Sequence, residues 1–484
     1  MRARPTGALP QPVRRLLPAA AACSLALAAG AQDYWTRDKI QAEFLADLAG
    51  RGPSGYHEET PAGSPDYVPN DPLAQLLQES QFLVSLQHDV PGPNFGGMEE
   101  GEILPNIIQT DNTTESIWVW SRYRQLTGDQ QFDQNVADAW IYVMNHPAFL
   151  EELGPGPFGY YRIYNCGWAL IAEPLYRQVT GDASFLPYAI QCADYVVNNP
   201  LSLASDFLNV QITAWAAGAL YDFGVEQDNA AYRAAAVAYG DSVRQFAEAN
   251  PFVLSSELWA MSGGAVLWGV LRSYFRENPG GRTWAKTFGP MTKTIDNSGT
   301  WRLAHTGWYA LGRYEAWKAS AGGGLFRTHR EAYDFLVAAD GDDDGGIPTT
   351  NPSETFADES WVSNYLVFMG SDKTVDGVDA AVADDVVQLT PGGTWDLSLG
   401  IGNHDALAQA NPTALLEVLF EGGTPFPVIG PVPLVLIPSQ VVAVSSFPIA
   451  VPPGVASGNY TARVTAFLPG PVLAQTAEVT ALVP

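Results

Sequence analysis

Lysine is nearly absent: Lys39, Lys286, Lys293, Lys318 and Lys373 are the only five in 484 residues. With 25 Lys and Arg against 52 Asp and Glu, the formal net charge is -27. Such a surface repels phosphate backbones and anionic lipid, so nucleic acid and acidic membranes are not expected partners. A long polyuronate would be repelled as well, less so at high salt. Cysteine is almost as scarce, at three residues, which rules out a disulfide-stapled scaffold. Beyond the first 31 residues no apolar run approaches the roughly 18 residues that span a bilayer, so no membrane insertion is expected of the mature chain. What the chain does have is core-forming material. Its 46% hydrophobic content, with 14 Trp, 20 Tyr and 21 Phe, excludes a disordered polymer. The length exceeds what one hydrophobic core fills, which predicts a large domain with a smaller one.

Residues 1–31 read as an export signal: Arg14 and Arg15, an apolar stretch from Leu16 to Ala28, then Ala29-Gly30-Ala31 as a cleavage site. The mature chain then begins at Gln32 in the periplasm or outside the cell. Cys166 and Cys192 remain, on facing helices of one hairpin. In an oxidising compartment they fit either a disulfide or two thiols buried in a helical core.

The sequence YRQLTGD at 123–129 returns as YRQVTGD at 176–182, and the match continues through Phe132/Phe185, Tyr142/Tyr195 and Asn145/Asn198. Self-similarity at a fixed offset marks units that bury a face only against their neighbours. Helical periodicity places twelve helices near 71–89, 109–126, 129–145, 163–180, 182–199, 209–223, 228–248, 256–276, 282–296, 303–319, 325–339 and 358–370. Tyr123, Tyr176, Tyr221, Tyr274 and Tyr314, each with a Trp upstream, mark alternate helices as the inner set of a ring. Residues 371–385 read as an acidic linker, and 386–484 as short alternating strands forming an immunoglobulin-like β-sandwich. The expected organisation is thus 1–31 signal, 32–370 helical hairpins with an N-terminal extension, 371–385 linker and 386–484 sandwich.

The two TGD turns, each joining a Trp-bearing inner helix to an outer helix with a further aromatic, resemble the six-hairpin (α/α)6 toroid of carbohydrate-active enzymes. That group holds toroidal glycosidases, unsaturated glucuronyl hydrolases and polysaccharide lyases. The resemblance covers about residues 70–370 and implies a carbohydrate partner held at the mouth formed by the N-terminal ends of the inner helices. It carries no complete catalytic motif of one family, so no catalytic residue is transferred from it.

Polar residues recur at those helix starts. Glycoside hydrolysis needs two carboxyl groups flanking the scissile bond, and Asp111, Glu115, Glu257 and Asp358 are the candidates, with His305 as a further acid–base residue. Asp111 and Glu115 lie at i and i+4, on one helix face. Asn112, Tyr164, Asn165 and Gln211 are candidate substrate-binding groups, and the indoles of Trp168, Trp259, Trp308 and Trp361 could stack on sugar rings. The same positions are natural caps, because Asp, Asn and Glu suit any first helical turn. A lyase would instead draw its base and charge neutraliser from Tyr164, Tyr309, Asn165, Arg162 and His305. A non-catalytic glycan-binding protein is the alternative from another class.

Residues 340–347, DGDDDGGI, match the first eight positions of an EF-type loop, with Asp340, Asp342 and Asp344 as ligands of a Ca²⁺ and Gly345 at the turn. The twelfth position holds Asn351 where a bidentate Glu belongs. No organic cofactor is expected.

Overall fold

The computed structural model describes residues 72–101, 108–150, 159–203, 207–251, 260–292, 302–337, 340, 344–347, 377–404, 408–421, 423–468 and 474–484. Residues 1–31, expected to be an export signal, the helix expected at 358–370 and most of the expected acidic linker lie outside them.

The repeated turn is built by one set of bonds used twice. Helices α2 (Thr110–Thr127) and α4 (Gly159–Thr180) end where Gly128 and Gly181 turn left-handed, at φ 73° and 75°. Their N–H groups close on the Arg124 and Arg177 carbonyls at 2.8 Å. The preceding threonine donates back to the carbonyl of Tyr123 or Tyr176 and accepts the N–H of Asp129 or Asp182. Each aspartate then accepts the N–H two residues on, from Gln131 or Ser184, in the turn that leads to the return helix. The repeated aromatics fasten the hairpin. Tyr123 meets Phe132 edge-on at 5.3 Å, and Tyr176 meets Phe185 at 5.5 Å.

The pattern continues around the molecule. Inner helices α2, α4, α6 (Phe207–Glu226), α8 (Ala260–Arg272) and α11 (Arg302–Ser320) each pack on the next. Outer helices α3 (Asp133–Asn145), α5 (Leu186–Asn198), α7 (Ala230–Ala249), α10 (Gly281–Phe288) and α12 (Gly323–Val337) follow them in turn, with a single turn, α9 (Tyr274–Glu277), after α8. Helix α1 (Pro72–Ser85) lies against α2, where the Trp120 indole donates to the Ser80 carbonyl at 3.0 Å. This is the toroid of helical hairpins. The inner helices touch neighbours on every side, so α6 is buried from Val210 to Tyr221. They approach backbone to backbone: a Cβ on Gly269 would stand 1.9 Å from the Ala214 carbonyl oxygen.

Two expectations are corrected here. The helix expected at 282–296 ends at Phe288, where the chain tightens into a 3-10 turn, Gly289–Met291: Pro290 has no N–H to continue the α-helical ladder. Val378–Ala383, counted with the linker, is a strand. Of the two readings of Cys166 on α4 and Cys192 on α5, the structure has the buried free thiols. Among the described residues no helix is long and apolar enough to cross a membrane.

Among the described residues seven antiparallel strands follow. A three-stranded sheet has the order β3 (Val378–Ala383), β4 (Thr394–Asn403), β7 (Val441–Ala450). A four-stranded sheet has the order β6 (Phe426–Pro433), β5 (Thr413–Phe420), β8 (Gly458–Phe467), β9 (Ala474–Val483). A two-residue pair, β1 (Met98–Glu99) with β2 (Ile108–Gln109), precedes α2. Trp395, Leu397, Leu416 and Val464 fill the core between the two larger sheets. Strand β3 is buried on both faces, which erases the alternation that reveals a strand in sequence. Val378, Ala380 and Val382 serve the strand core, Ala381 joins the helical core, and Asp379 meets α11. Asp379 accepts from the Trp317 indole at 3.1 Å and from Lys318 at 2.8 Å.

Candidate active site

Seven successive polar residues, Thr110 to Ser116, are all buried in the first two turns of α2. Burial of this kind is costly unless each group is bonded, and here the backbone takes most of it. Thr110 donates to the His146 carbonyl (2.7 Å), Thr113 to the Gln109 carbonyl (2.6 Å) and Ser116 to the Asn112 carbonyl (2.8 Å). The Met98 N–H donates to Thr113 Oγ1 at 2.9 Å, so the β1–β2 pair fixes the helix start.

Three carboxylates stand at this end. Asp111 is 6% exposed, and burial pushes its carboxyl up to about 6, against the pull of the N–H groups of Asn112 and of its own residue. Its Oδ1 accepts the Asn112 N–H at 2.9 Å. Glu115, one turn deeper, accepts the Tyr164 hydroxyl of α4 at 3.1 Å. Glu100 accepts the Asn112 side-chain amide at 2.7 Å. Sequence reasoning missed Glu100. It lies just after a two-residue strand, too short for any periodicity to mark, and the acidic run around it was the only signal.

Helix by helix, the other expected residues sort themselves. Tyr164, Asn165 and Gln211 are buried in the N-terminal turns of α4 and α6. Gln211 Oε1 has no hydrogen-bond partner among the described residues, which leaves an acceptor for a polar ligand; Thr213, two residues on, faces instead a cavity shared with Val196, Tyr239 and Ser242 of the outer helices. Trp168 and Trp308, expected to stack on sugars, are 1% and 2% exposed. Each indole packs on Trp215, at 4.7 and 5.4 Å, and Trp268 stacks on the same ring at 4.7 Å. Enclosed indoles offer no free face to a sugar, so these four form a floor to the ring, with Trp168 and Trp215 one turn below Tyr164 and Gln211. Glu257, Trp259, Asp358, Trp361 and the His305 side chain lie outside the described residues.

Of the expected calcium ligands, Asp340 is buried and accepts the N–H groups of Asp344 and Gly345, both at 3.1 Å. Asp344 is exposed and accepts the Gly346 N–H at 2.7 Å. Asp342 lies outside the described residues. Among those described, no three His, Cys, Asp or Glu side chains converge as a metal group.

A cleft of about 670 Å³ lies elsewhere, between the C-terminal ends of α8 and α11 and the strands. Its charges neutralise one another: Arg272 pairs with Asp222 and Glu315, Arg282 with Asp385 and Asp396, and Lys318 with Asp379. Asp384 in its wall is also pushed up to about 6 by burial, but its carboxyl is bound by the Trp395 indole at 2.6 Å. This cleft is a docking seam, and the polar end of α2 is the better site.

No protein-family model and no curated protein matches the chain. Among solved structures, it is similar to an α-1,6-mannanase of Salegentibacter in complex with α-1,6-mannotriose, at 12% identity and TM-score 0.38, covering 62% of this chain and 98% of that one. It is similar to a GH127 β-arabinofuranosidase, at 12% identity and TM-score 0.39, covering 88% and 94%. Endoglucanase CelQ of Clostridium thermocellum gives 10% identity and TM-score 0.35, covering 73% and 81%.

Proposed function

We propose that the protein is a secreted glycoside hydrolase that binds an oligosaccharide at the N-terminal ends of its inner helices. The observation that carries this reading is Asp111, a buried carboxyl held near 6 at the head of a wholly polar, wholly buried double turn. A carboxylic acid tuned toward neutrality can protonate a leaving glycosidic oxygen at mildly acidic pH. Glu115 is the partner carboxylate, oriented by the Tyr164 hydroxyl. At i and i+4 the two Cβ atoms stand about 5–6 Å apart, compatible with the closer carboxyl spacing of a retaining mechanism. Asn112 and Gln211 supply hydrogen bonds to sugar hydroxyls, with Glu100 fixing the Asn112 amide.

The export signal supports action outside the cell. The immunoglobulin-like character of the strand domain belongs to the same proposal, supported by two antiparallel sheets of three and four strands.

The test is incubation of the mature protein with neutral and uronic oligosaccharides, following reducing ends and the ultraviolet absorbance of unsaturated uronates. New reducing ends without absorbance are expected. New absorbance would replace hydrolysis with elimination, and silence across a broad panel would leave a glycan-binding protein.

A further inference from the structure

Among the described residues four strands form the edges of the two larger sheets, β3 and β7 of one and β6 and β9 of the other. An edge offers unpaired N–H and C=O groups to any second strand, so folded proteins cover or blunt it. Three of these edges are treated in that way. Strand β3 is buried along its length, and its Ala380 carbonyl is taken by Lys318 Nζ at 2.6 Å. Strand β9 carries Glu478 and is joined by residues 387–389, with the Leu389 N–H on the Leu482 carbonyl at 2.7 Å and the Leu482 N–H on the Val387 carbonyl at 2.9 Å. Strand β6 contains Pro427, Pro431 and Pro433, which have no N–H to offer. Strand β7 has none of these devices. It pairs with β4 alone, and its Val441–Phe447 stretch has neither proline nor charge. The Ser445 carbonyl turns into the bulge beside β4, to Ser398 Oγ at 2.7 Å and Lys286 Nζ at 3.2 Å. Val442 and Val444 lie opposite Ile401 and Leu399 of the strand core yet are themselves exposed, so an apolar rim follows the open edge.

Charge selects the partner. Residues 423–462, which hold β6 and β7, contain no Asp, Glu, Lys, Arg or His in a chain of net charge -27. A basic partner is drawn to the acidic faces and finds no carboxylate on this stretch, while an acidic partner is repelled by the molecule as a whole. A second copy of the chain is repelled by the acidic faces too, but at this edge it brings an equally neutral strand and opposes no like charges. We propose that two copies pair antiparallel through β7, joining their three-stranded sheets into one. Pairing is centred near Ala443, which sets Val442 of each copy beside Val444 of the other. Charge returns at Ser446, whose hydroxyl donates to Asp396 Oδ1 at 2.6 Å, and this limits the pairing to the first half of the strand. A strand that pairs with its own copy makes an isologous contact, which closes at two chains and leaves no edge to extend.

The test uses the full mature chain and does not depend on catalysis. Sedimentation equilibrium over micromolar concentrations should show wild type passing from one chain to two and no further. Raising NaCl to about 0.5 M should tighten the dimer, because it screens the repulsion between two acidic molecules while the paired edges carry no charge. Val444→Glu buries a carboxylate against valine in the pair and should weaken association at least about tenfold, with an unchanged circular dichroism spectrum. A single chain at every concentration would overturn the proposal, and if that chain co-sediments with neutral phosphatidylcholine vesicles the edge belongs to a lipid surface instead. Association that salt dissociates, or that Val444→Glu retains in full, would overturn it as well by placing the interface at ion pairs or on another face. If Val444→Glu does not fold, amide hydrogen exchange of wild type at high and low concentration decides: slowing in β7 at high concentration is expected, and slowing confined to other elements would contradict the pairing.

Discussion

At the residue scale, the acid role proposed for Asp111 comes at the expense of stability. Its carboxyl is raised in the folded chain, so the folded state binds more protons than the unfolded state between the two pKa values, and stability falls as pH rises through that window. The window runs from the ordinary aspartate value of 3.8 to about 6; at about 1.36 kcal/mol per pH unit it amounts to about 3 kcal/mol. Asp111→Asn lacks this penalty. The variant should match wild type below pH 4 and be more stable by up to about 3 kcal/mol at pH 7, as read by denaturant unfolding at both pH values. Equal stability across the window would mean that the carboxyl is not desolvated. The position of Asp111 was legible in sequence, because it heads a run of polar residues at a predicted inner-helix start. Its burial was not, since capping residues in a solvated first turn have the same composition. For Trp168 and Trp308 the sequence was misleading. A Trp one turn into an inner helix reads the same whether its indole faces the mouth or its neighbours.

At the scale of the element, the TGD hairpin was readable because each residue has a local task. Glycine takes the left-handed position, threonine bonds back to the helix it ends, and aspartate closes the turn by accepting the N–H two residues on. Gly128 has nothing within 4 Å of where a Cβ would lie, so Gly128→Ala tests conformation alone. It should cost about 1–2 kcal/mol in unfolding free energy. Gly345→Ala adds a collision with the α1 backbone and should cost more, by a further ~1–3 kcal/mol. Similar losses for the two would show that the loop is not seated on α1. Strand β3 was illegible for the opposite reason. Its pattern is set on both faces by partners far away in sequence, and VDAAVA carries no local signal beyond small apolar residues among acids.

At the scale of the whole molecule, the hairpin ring and the strand domain are joined by buried charge. Burial alone would raise the Asp379 carboxyl, but Lys318, with His404, holds it far below the usual aspartate range. Such a group contributes stability above its unfolded pKa and loses it only as pH falls through the depressed folded value. Asp379 should therefore still hold the junction at pH 4. Asp379→Ala strands Lys318 and the Trp317 indole and should cost about 3 kcal/mol, the lower end for a broken buried pair because Lys318 keeps some access to water. Melting of wild type and variant at pH 4 and pH 7 checks both points; a gap that vanishes by pH 4 would contradict the depressed carboxyl. The two-domain division and the ring of hairpins were legible because periodicity changes from helical to alternating along the chain. The docking seam was not, since its ion pairs join residues as distant as Arg282 and Asp396. The proposed hydrolysis requires the polar end of α2 to be the reacting site. The direct measurement is turnover by Asp111→Asn of the oligosaccharide that wild type cleaves fastest, with binding of the same sugar followed by calorimetry. Loss of a general acid predicts a fall of about 10²–10⁴ in kcat with binding retained. Hydrolysis by Asp111→Asn at the wild-type rate would contradict it.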